Sequence, residues 1–338
     1  MIYFGRRISA AIFMLFTNRE EIFLKLFKKA VPLISIVFAL AIELILKNND
    51  KQPAANRPYF TYFLVVVFAV IALLFVLSFA NKKIDEKLSY KGEFWAGVIL
   101  FLNIYNILTL KLAALPILYF PSLHRIFGVL FEDYAFLGKC LLYSLRLLLS
   151  GWFGGAIIGV ATGICIGFNS KFRYWVQPIV RILGPIPSTA WIPLVLISFP
   201  TVVSASAFLI GLAVWFPTTV LTSSGIANVK NSYFEVSQTL GAGTFYRIFK
   251  VGVPAAMPHM FIGLFNGTSA SFITLVTAEM IGAKYGIGWY INWQKEMMSY
   301  SNVYAGLIVM AVTCYLSITI LFRVRDRLLV WQKGVIKW

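Results

Sequence analysis

Eight apolar runs, each long enough to cross the hydrocarbon core of a bilayer, constrain this chain more than any other feature. They read at roughly 30–47, 59–80, 95–118, 144–168, 176–199, 203–222, 255–278 and 303–322, and a spanning helix needs about 20 apolar residues. Inside lipid, backbone amides and carbonyls have no water to bond, so such runs close their hydrogen bonds within themselves as helices. The expectation is an all-α polytopic membrane protein with about eight transmembrane helices. A length of 338 residues would otherwise suggest two soluble domains, but 59% hydrophobic against 13% charged residues removes that reading.

A formal charge of +17 invites comparison with nucleic-acid-binding proteins, yet its placement follows the membrane. With the N-terminus inside and eight crossings, Arg6, Arg7, Lys28, Lys29, Lys82, Lys83, Lys171, Arg173, Lys230, Arg247, Arg323 and Arg325 fall on one side. This positive-inside bias puts both termini in the cytoplasm. It assigns the surplus charge to anionic membrane lipid rather than to nucleic acid. Cys140, Cys165 and Cys314 show no metal or redox spacing. Arg6 and Arg7 precede a short apolar run, but Thr17-Asn18-Arg19 follows in place of a small-residue cleavage site, so residues 1–28 read as an interfacial helix on the inner leaflet.

Residues 30–80 read as a helical hairpin in which Glu43 lies near the outer boundary, within reach of water. The basic stretch Asn81 to Glu93 reads as a linker and as the module boundary, separating an N-terminal extension (1–90) from the main membrane domain (91–338). Residues Tyr119 to Tyr143 are expected on the outer leaflet. In the fourth span Gly151, Gly155, Gly159, Gly163 and Gly167 recur every fourth residue, a ridge that lets another helix backbone approach closely.

The fifth span carries Pro178, Pro185, Pro187, Pro193 and Pro200 and cannot be one straight helix, because an interior proline removes a donor and clashes with the preceding turn. Broken helices at membrane depth are tolerated where they line a cavity or are covered by protein. Ser188, Thr189 and Trp191 in the broken part are candidates for a solute path; a kinked helix with satisfied hydroxyls is the alternative. The seventh span adds a small hydroxylated face, Gly267, Ser271, Thr274 and Ala278, closed by Glu279. That face suits either a water-filled path or helix packing.

Between the sixth and seventh spans lies KNSYFEVSQTLGAGTFYRIFKVGVP, Lys230 to Pro254. Ser232-x-x-Glu235 matches a capping box that would start a helix. Tyr233, Val236 and Leu240 share one stripe, Gly241 permits a turn, and Phe245, Ile248 and Phe249 repeat the stripe before Pro254 opens the next span. Two short amphipathic helices predict a docked partner. No phosphate loop, HExxH, CxxC or GxSxG motif occurs, and there are only two histidines, His124 and His259. The chain carries no reaction chemistry, cofactor or metal site of its own.

The spacing E-V-S-x-x-x-G from Glu235 to Gly241, then nine residues before Val251-Gly252-Val253-Pro254, resembles the EAA loop of permease subunits of ABC importers. Val236 and Ser237 replace its two alanines. RILGPIPSTAWIPLVLISF and TAEMIGAKYGIGWYI are similar to flanking segments of the branch that imports nitrate, sulfonates, taurine, bicarbonate and thiamine-precursor compounds. The resemblance covers about residues 95–332. It implies a type I ABC importer permease fold with a six-helix core in a bacterial inner membrane, residues 1–90 adding a two-helix hairpin. It further implies a permease homodimer, cytoplasmic ATPase subunits that hold ATP and Mg, and an extracytoplasmic solute-binding protein. Tyr233, Glu235, Val236, Leu240, Gly241 and Pro254 would then form the coupling segment, and Ser188, Thr189, Trp191, Ser271, Thr274 and Glu279 would border the path. An ion-coupled secondary transporter using Glu43 or Glu279, or a membrane scaffold that recruits a cytoplasmic protein, are the competing classes; the former calls for inverted repeats, and none is evident.

Overall fold

The computed structural model describes residues 25–331 except Ala54. Most of the interfacial helix expected over residues 1–28 therefore lies outside the described residues. By packing, the chain forms two compact units, Met1–Glu132 and Asp133–Trp338, and among the described residues every regular element is helical.

In the first unit, α1 (described over residues 25–45) and α2 (Tyr59–Ala80) form the expected hairpin, followed by α3 (Lys82–Asn106), a π-turn (Ile107–Lys111) and α4 (Leu123–Glu132). The stretch read as a linker is helical. Asn81 ends α2 and starts α3 at once, its side chain accepting the Lys83 amide at 3.0 Å. Two of its acids are paired with α1, Glu93 with Lys28 at 3.2 Å and Asp85 with Lys29, while Lys82, Lys83, Glu86, Lys87 and Lys91 are exposed. Gly92 packs against the Lys28 carbonyl so closely that a Cβ there would overlap it. The packing boundary falls at Glu132/Asp133, so the third span belongs by its contacts to the first unit.

Glu43 also departs from its expected exposure. Its side chain is only 6% exposed and accepts from Asn106 Nδ2 at 2.6 Å, and its Oε1 lies 2.8 Å from His124 Nε2. His124 Nδ1 accepts the Phe60 amide at 3.2 Å, so its proton sits on Nε2 and is donated to Glu43. Lys111 donates to the carbonyls of Glu43 (3.0 Å) and Leu46 (2.8 Å) and to Asn48 Oδ1 (2.8 Å). It thereby satisfies carbonyls that the end of α1 leaves open.

The second unit is built on α5 (Tyr134–Phe168) and α8 (Val202–Ala227). The glycine ridge meets α8 along its length. Cβ atoms at Gly151 and Gly163 would stand 2.6 Å from the Ala207 carbonyl oxygen and 2.5 Å from Thr222 Cβ, and one at Gly155 would overlap Gly211. Gly159 faces Trp215 and Thr218, and Gly167 faces Ile226. Residue numbers rise together on both helices, so α5 and α8 run parallel. From Gly151 to Gly167 the shared path is about 24 Å at about 1.5 Å per residue. The segment joining the two helices must therefore return the chain across most of a bilayer.

That segment is the proline-rich one. α6 (Ser170–Leu183) and the pair formed by a 3₁₀ turn (Ser188–Trp191) with α7 (Ile192–Ser198) meet at 88°. The break spans Gly184-Pro185-Ile186-Pro187, Pro193 opens α7 where no amide is needed, and Pro200 follows its end. Gly184 sits so tightly against the Phe216 ring that no side chain fits.

After α8 the chain turns through α9 (Asn231–Thr239) and α10 (Thr244–Tyr246) into α11 (Val253–Gly282), then α12 (Ile287–Glu296) and α13 (Tyr300–Leu328). α11 is antiparallel to α8, since Gly225 meets Ala256 and His259, Gly267 meets Val214, and Gly282 meets Val202. Among the described residues six helical stretches, Tyr59–Ala80, Lys82–Lys111, Tyr134–Phe168, Val202–Ala227, Thr244–Gly282 and Tyr300–Leu328, are long and apolar enough to cross a membrane, or up to seven with the bent pair counted as one span, against the eight expected.

Gly155→Leu is expected to destabilise the second unit by about 3 kcal/mol, because backbone faces it and cannot yield. Gly154→Ala, one residue away with nothing within 4 Å, should be neutral. Thermal unfolding in detergent, followed by size-exclusion profile, distinguishes the two.

Candidate functional site

The loop between α8 and α11 is ordered by its own backbone. Helix α9 begins at Asn231 with Lys230 at its N-cap and no side chain capping it. The capping box of Ser232 and Glu235 is therefore not formed: Ser232 already lies inside the first turn, and Glu235 is exposed. The other end follows the expectation. Gly241 has φ +79°, its amide donates to the Gln238 carbonyl at 3.0 Å, and the Ala242 amide donates to the Ser237 carbonyl at 3.0 Å. These two bonds make a Schellman motif, which needs a left-handed residue at the glycine position.

The loop docks on the end of α5. Phe168 lies edge-on to Phe234, ring centroids 5.9 Å apart, and covers Gly252 so closely that a side chain there would overlap it. Arg247 ties the two halves together through Gln238 Oε1 at 3.1 Å and Thr244 Oγ1 at 3.3 Å. Neither Phe168 nor Arg247 stood out in the sequence, since one ends an apolar run and the other reads as a topogenic charge. Pro254 does not separate two helices. A π-turn, Arg247–Gly252, carries α10 directly into α11, widening the helix just where the proline ring would clash with the carbonyl four residues back.

With Phe234 and Ser237 turned inward, Tyr233, Val236 and Leu240 are left 54%, 58% and 81% exposed. Of the second stripe, Ile248 is half-buried, while Phe245 and Phe249 are exposed, their rings tilted against each other with centroids 4.5 Å apart.

The bent pair, α8 and α11 enclose a cavity of about 320 Å³. Ser188, Thr189 and Thr274 line it, and the Ser188 and Thr274 hydroxyls are 2.6 Å apart, joining the bent pair to α11. Asn266, Trp215 and Phe216 line it as well; the two aromatics sit in the sixth apolar run, where nothing in the residue pattern sets them apart. Trp191 packs instead with Ile192, Val195, Ala205 and Leu209. Ser271 is buried and donates to its own helix at Thr268. The hydroxylated face of α11 is thus shared between packing and cavity.

Glu279 is 0% exposed and occupies a different place. Its Oε1 accepts the Ser144 hydroxyl at 2.7 Å and its Oε2 the Gly288 amide at 2.7 Å, while Ser144 Oγ accepts the Ile287 amide at 2.8 Å. The carboxylate thereby satisfies, directly and through Ser144, amides that begin α12. Gly286, at φ +136°, and Gly288 leave room for it. Among the described residues no group of three or more His, Cys, Asp or Glu side chains could hold a metal.

The sequence profile described as "Binding-protein-dependent transport system inner membrane component" matches residues 155–330. The taurine transport system permease protein of Escherichia coli K12 is 29% identical over 192 residues, covering 57% of this chain and 70% of that protein. The putative aliphatic sulfonates transport permease protein of Bacillus subtilis 168 is 30% identical, covering 54% and 67%. The nitrate import permease protein of Synechocystis is 32% identical, covering 52% and 64%. In fold, the inward-facing MetNI methionine ABC transporter superposes with a TM-score of 0.51 at 18% identity, over 58% of this chain and 98% of that one.

Phe168→Ala is expected to release the loop. Amide exchange over residues 231–239 should accelerate at least about tenfold, as for a segment that opens locally, with α8 and α11 unchanged. Gly241→Ala should have a similar local effect through the cost of about 1–2 kcal/mol for a left-handed non-glycine residue. Gly243→Ala, at φ −67° with open space around it, should not.

Proposed function

The chain belongs to the family of binding-protein-dependent transport system inner membrane components, and on that premise we propose that α9 is the element through which cytoplasmic ATPase subunits drive it. As a member of this family it is a multi-pass permease subunit of an ABC importer with a type I fold, and not an enzyme. Such subunits work with ATPase subunits and binding proteins.

The observation that carries the coupling reading is the exposure of Tyr233, Val236 and Leu240 on a short helix held rigidly at the α9 end of the second unit. Apolar surface left in water is unfavourable by about 25 cal/mol per Å², and a cleft on an ATPase would cover it. Phe234, Gly252 and Arg247 fasten this helix to α5 and α11, so a displacement of α9 is transmitted to the spans as rigid-body motion. Gly241 shapes the turn, Glu235 offers an exposed acid beside the apolar stripe, and Pro254 marks the junction with α11.

In this reading the α9 end and both termini face the cytoplasm, as the placement of Lys and Arg supports, and the α12 end faces outward to the binding protein. ATP and Mg reside on the ATPase partners. Two permease chains, as a homodimer surrounded by lipid, complete the path. Residues 1–90 are an addition to a permease domain at 91–338. Ser188, Thr189 and Thr274 border the path through the 320 Å³ cavity; Trp191 and Ser271 support its walls, and Glu279 holds its outer end. The solute is a small organic or inorganic anion of the sulfonate, nitrate or bicarbonate kind, or a thiamine-precursor-like compound; the transport names of the relatives support the anion.

Leu240→Asp should abolish co-purification of the cognate ATPase while leaving membrane insertion intact; retention of the ATPase at wild-type level would count against docking through α9. Thr274→Trp should fill the cavity and stop uptake without loss of assembly, and undiminished uptake would remove the cavity from the path.

A further inference from the structure

At the α12 end of the second unit, a cavity of about 510 Å³ opens between α5, the start of α8 and the end of α11. Its walls carry Arg146, Lys284, Ser150 and Ser206, with Tyr143 and Tyr285 among the ring-bearing and apolar side chains, and no carboxylate. On α5, Lys139, Tyr143, Arg146 and Ser150 fall at i, i+4, i+7 and i+11, one face of the helix. The stripe therefore alternates cation, ring, cation and hydroxyl towards the middle of the helix.

Three donors here have no partner among the described residues. Arg146 and Lys284 take part in no ion pair or hydrogen bond with another described residue, and neither does Ser206, although it is only 1% exposed. Arg146 and Lys284 are exposed at the cavity and Ser206 lies buried in its wall, so two cations and a hydroxyl face the same space with their donors free for an anion. The nearest acid along α11, Glu279, bonds Ser144 and Gly288 and pairs with neither cation. The loop that presents Lys284 is held in place. Tyr285 lies under Lys139 Nζ at 4.3 Å and beside Tyr143 at 5.6 Å, and Glu279 anchors the residues that follow.

We propose that this cavity is a binding site for a small oxyanion, held by Arg146, Lys284 and the Ser206 hydroxyl, in which Tyr143, Leu147, Val202 and Tyr285 receive a short organic group. The proposal rests on the importer reading for its orientation, which makes the cavity a staging site at the outer mouth. Arg146 supplies a planar fork for two oxygens and Lys284 a point charge, and charge-assisted bonds of this kind are absent for a neutral or cationic solute. A phosphate of an anionic lipid offers the same chemistry, so the test must separate the two sources.

The full chain, in nanodiscs of phosphatidylcholine alone, is titrated with methanesulfonate, and binding is read by saturation transfer to its methyl protons. Saturable binding is expected, competed by nitrate and not by tetramethylammonium. Arg146→Gln and Lys284→Gln should each weaken it by about tenfold or more, the loss of one charge-assisted hydrogen bond, whereas Arg146→Lys should recover most of it. Equal binding by wild type and both glutamine variants overturns the proposal. So does an absence of methanesulfonate binding, including the case in which phosphatidylglycerol is retained by the wild type and lost from the glutamine variants, which would assign the site to lipid. Retention of the ATPase through α9 is measured in parallel: its failure in the wild-type chain counts against the importer reading, while the titration still decides the site.

Discussion

The close approach of α5 and α8 underlies the rest of the second unit. In lipid there is little hydrophobic drive for one apolar helix to meet another, so association depends on van der Waals contact and on the few polar bonds available. Five glycines on α5, with Gly211 answering from α8, bring the backbones together. Trp152 and Trp215 then bond Thr268 and Thr162 at 2.9 and 3.1 Å. Because the two helices are parallel, the proline-broken segment between them has to traverse the bilayer. That crossing sets the ends at which the α9 loop and α12 emerge, and it leaves the cavity beside the bent pair.

Acids within the spans serve the ends of helices. Glu43 is tied to His124, which receives the Phe60 amide at the start of α2, and to Lys111, which closes the end of α1. Glu279 collects the first amides of α12. Both carboxylates are thus bound by several donors and occupied in fixing structure, which weighs against the ion-coupled carrier in which one of them would shuttle a proton. Their neighbours Lys111, His124 and Ser144 are as much a part of each arrangement as the acids themselves.

Several features were legible because their physics is local. A glycine every fourth residue can only make a ridge, proline cannot continue a helix unaided, and Gly241 sits where a helix end demands a left-handed residue. Other readings failed where tertiary partners intervened. The Asn81 to Glu93 stretch looked like a linker because its charges appeared solvated, but α1 supplies Lys28 and Lys29 as partners for two of its acids. The capping box failed because α9 starts before Ser232, and Pro254 is absorbed by a π-turn instead of ending a helix. Arg146 and Lys284 gave no signal, being far apart in the chain and individually ordinary for residues near a membrane surface.

The amino-acid sequence by itself determined that the chain is helical and spans a membrane, that its fourth span is a packing surface, that its fifth is broken, and that the segment from Lys230 to Pro254 turns at Gly241. Each of these follows from hydrogen-bond closure in lipid or from the conformational limits of glycine and proline, which act over a few residues. Only the tertiary structure decided which helix meets the ridge, that α5 and α8 run parallel, which hydroxyls border a cavity, and that Glu279 holds α12. Those outcomes depend on side chains distant in sequence arriving at the same place, and no periodicity along the chain encodes that.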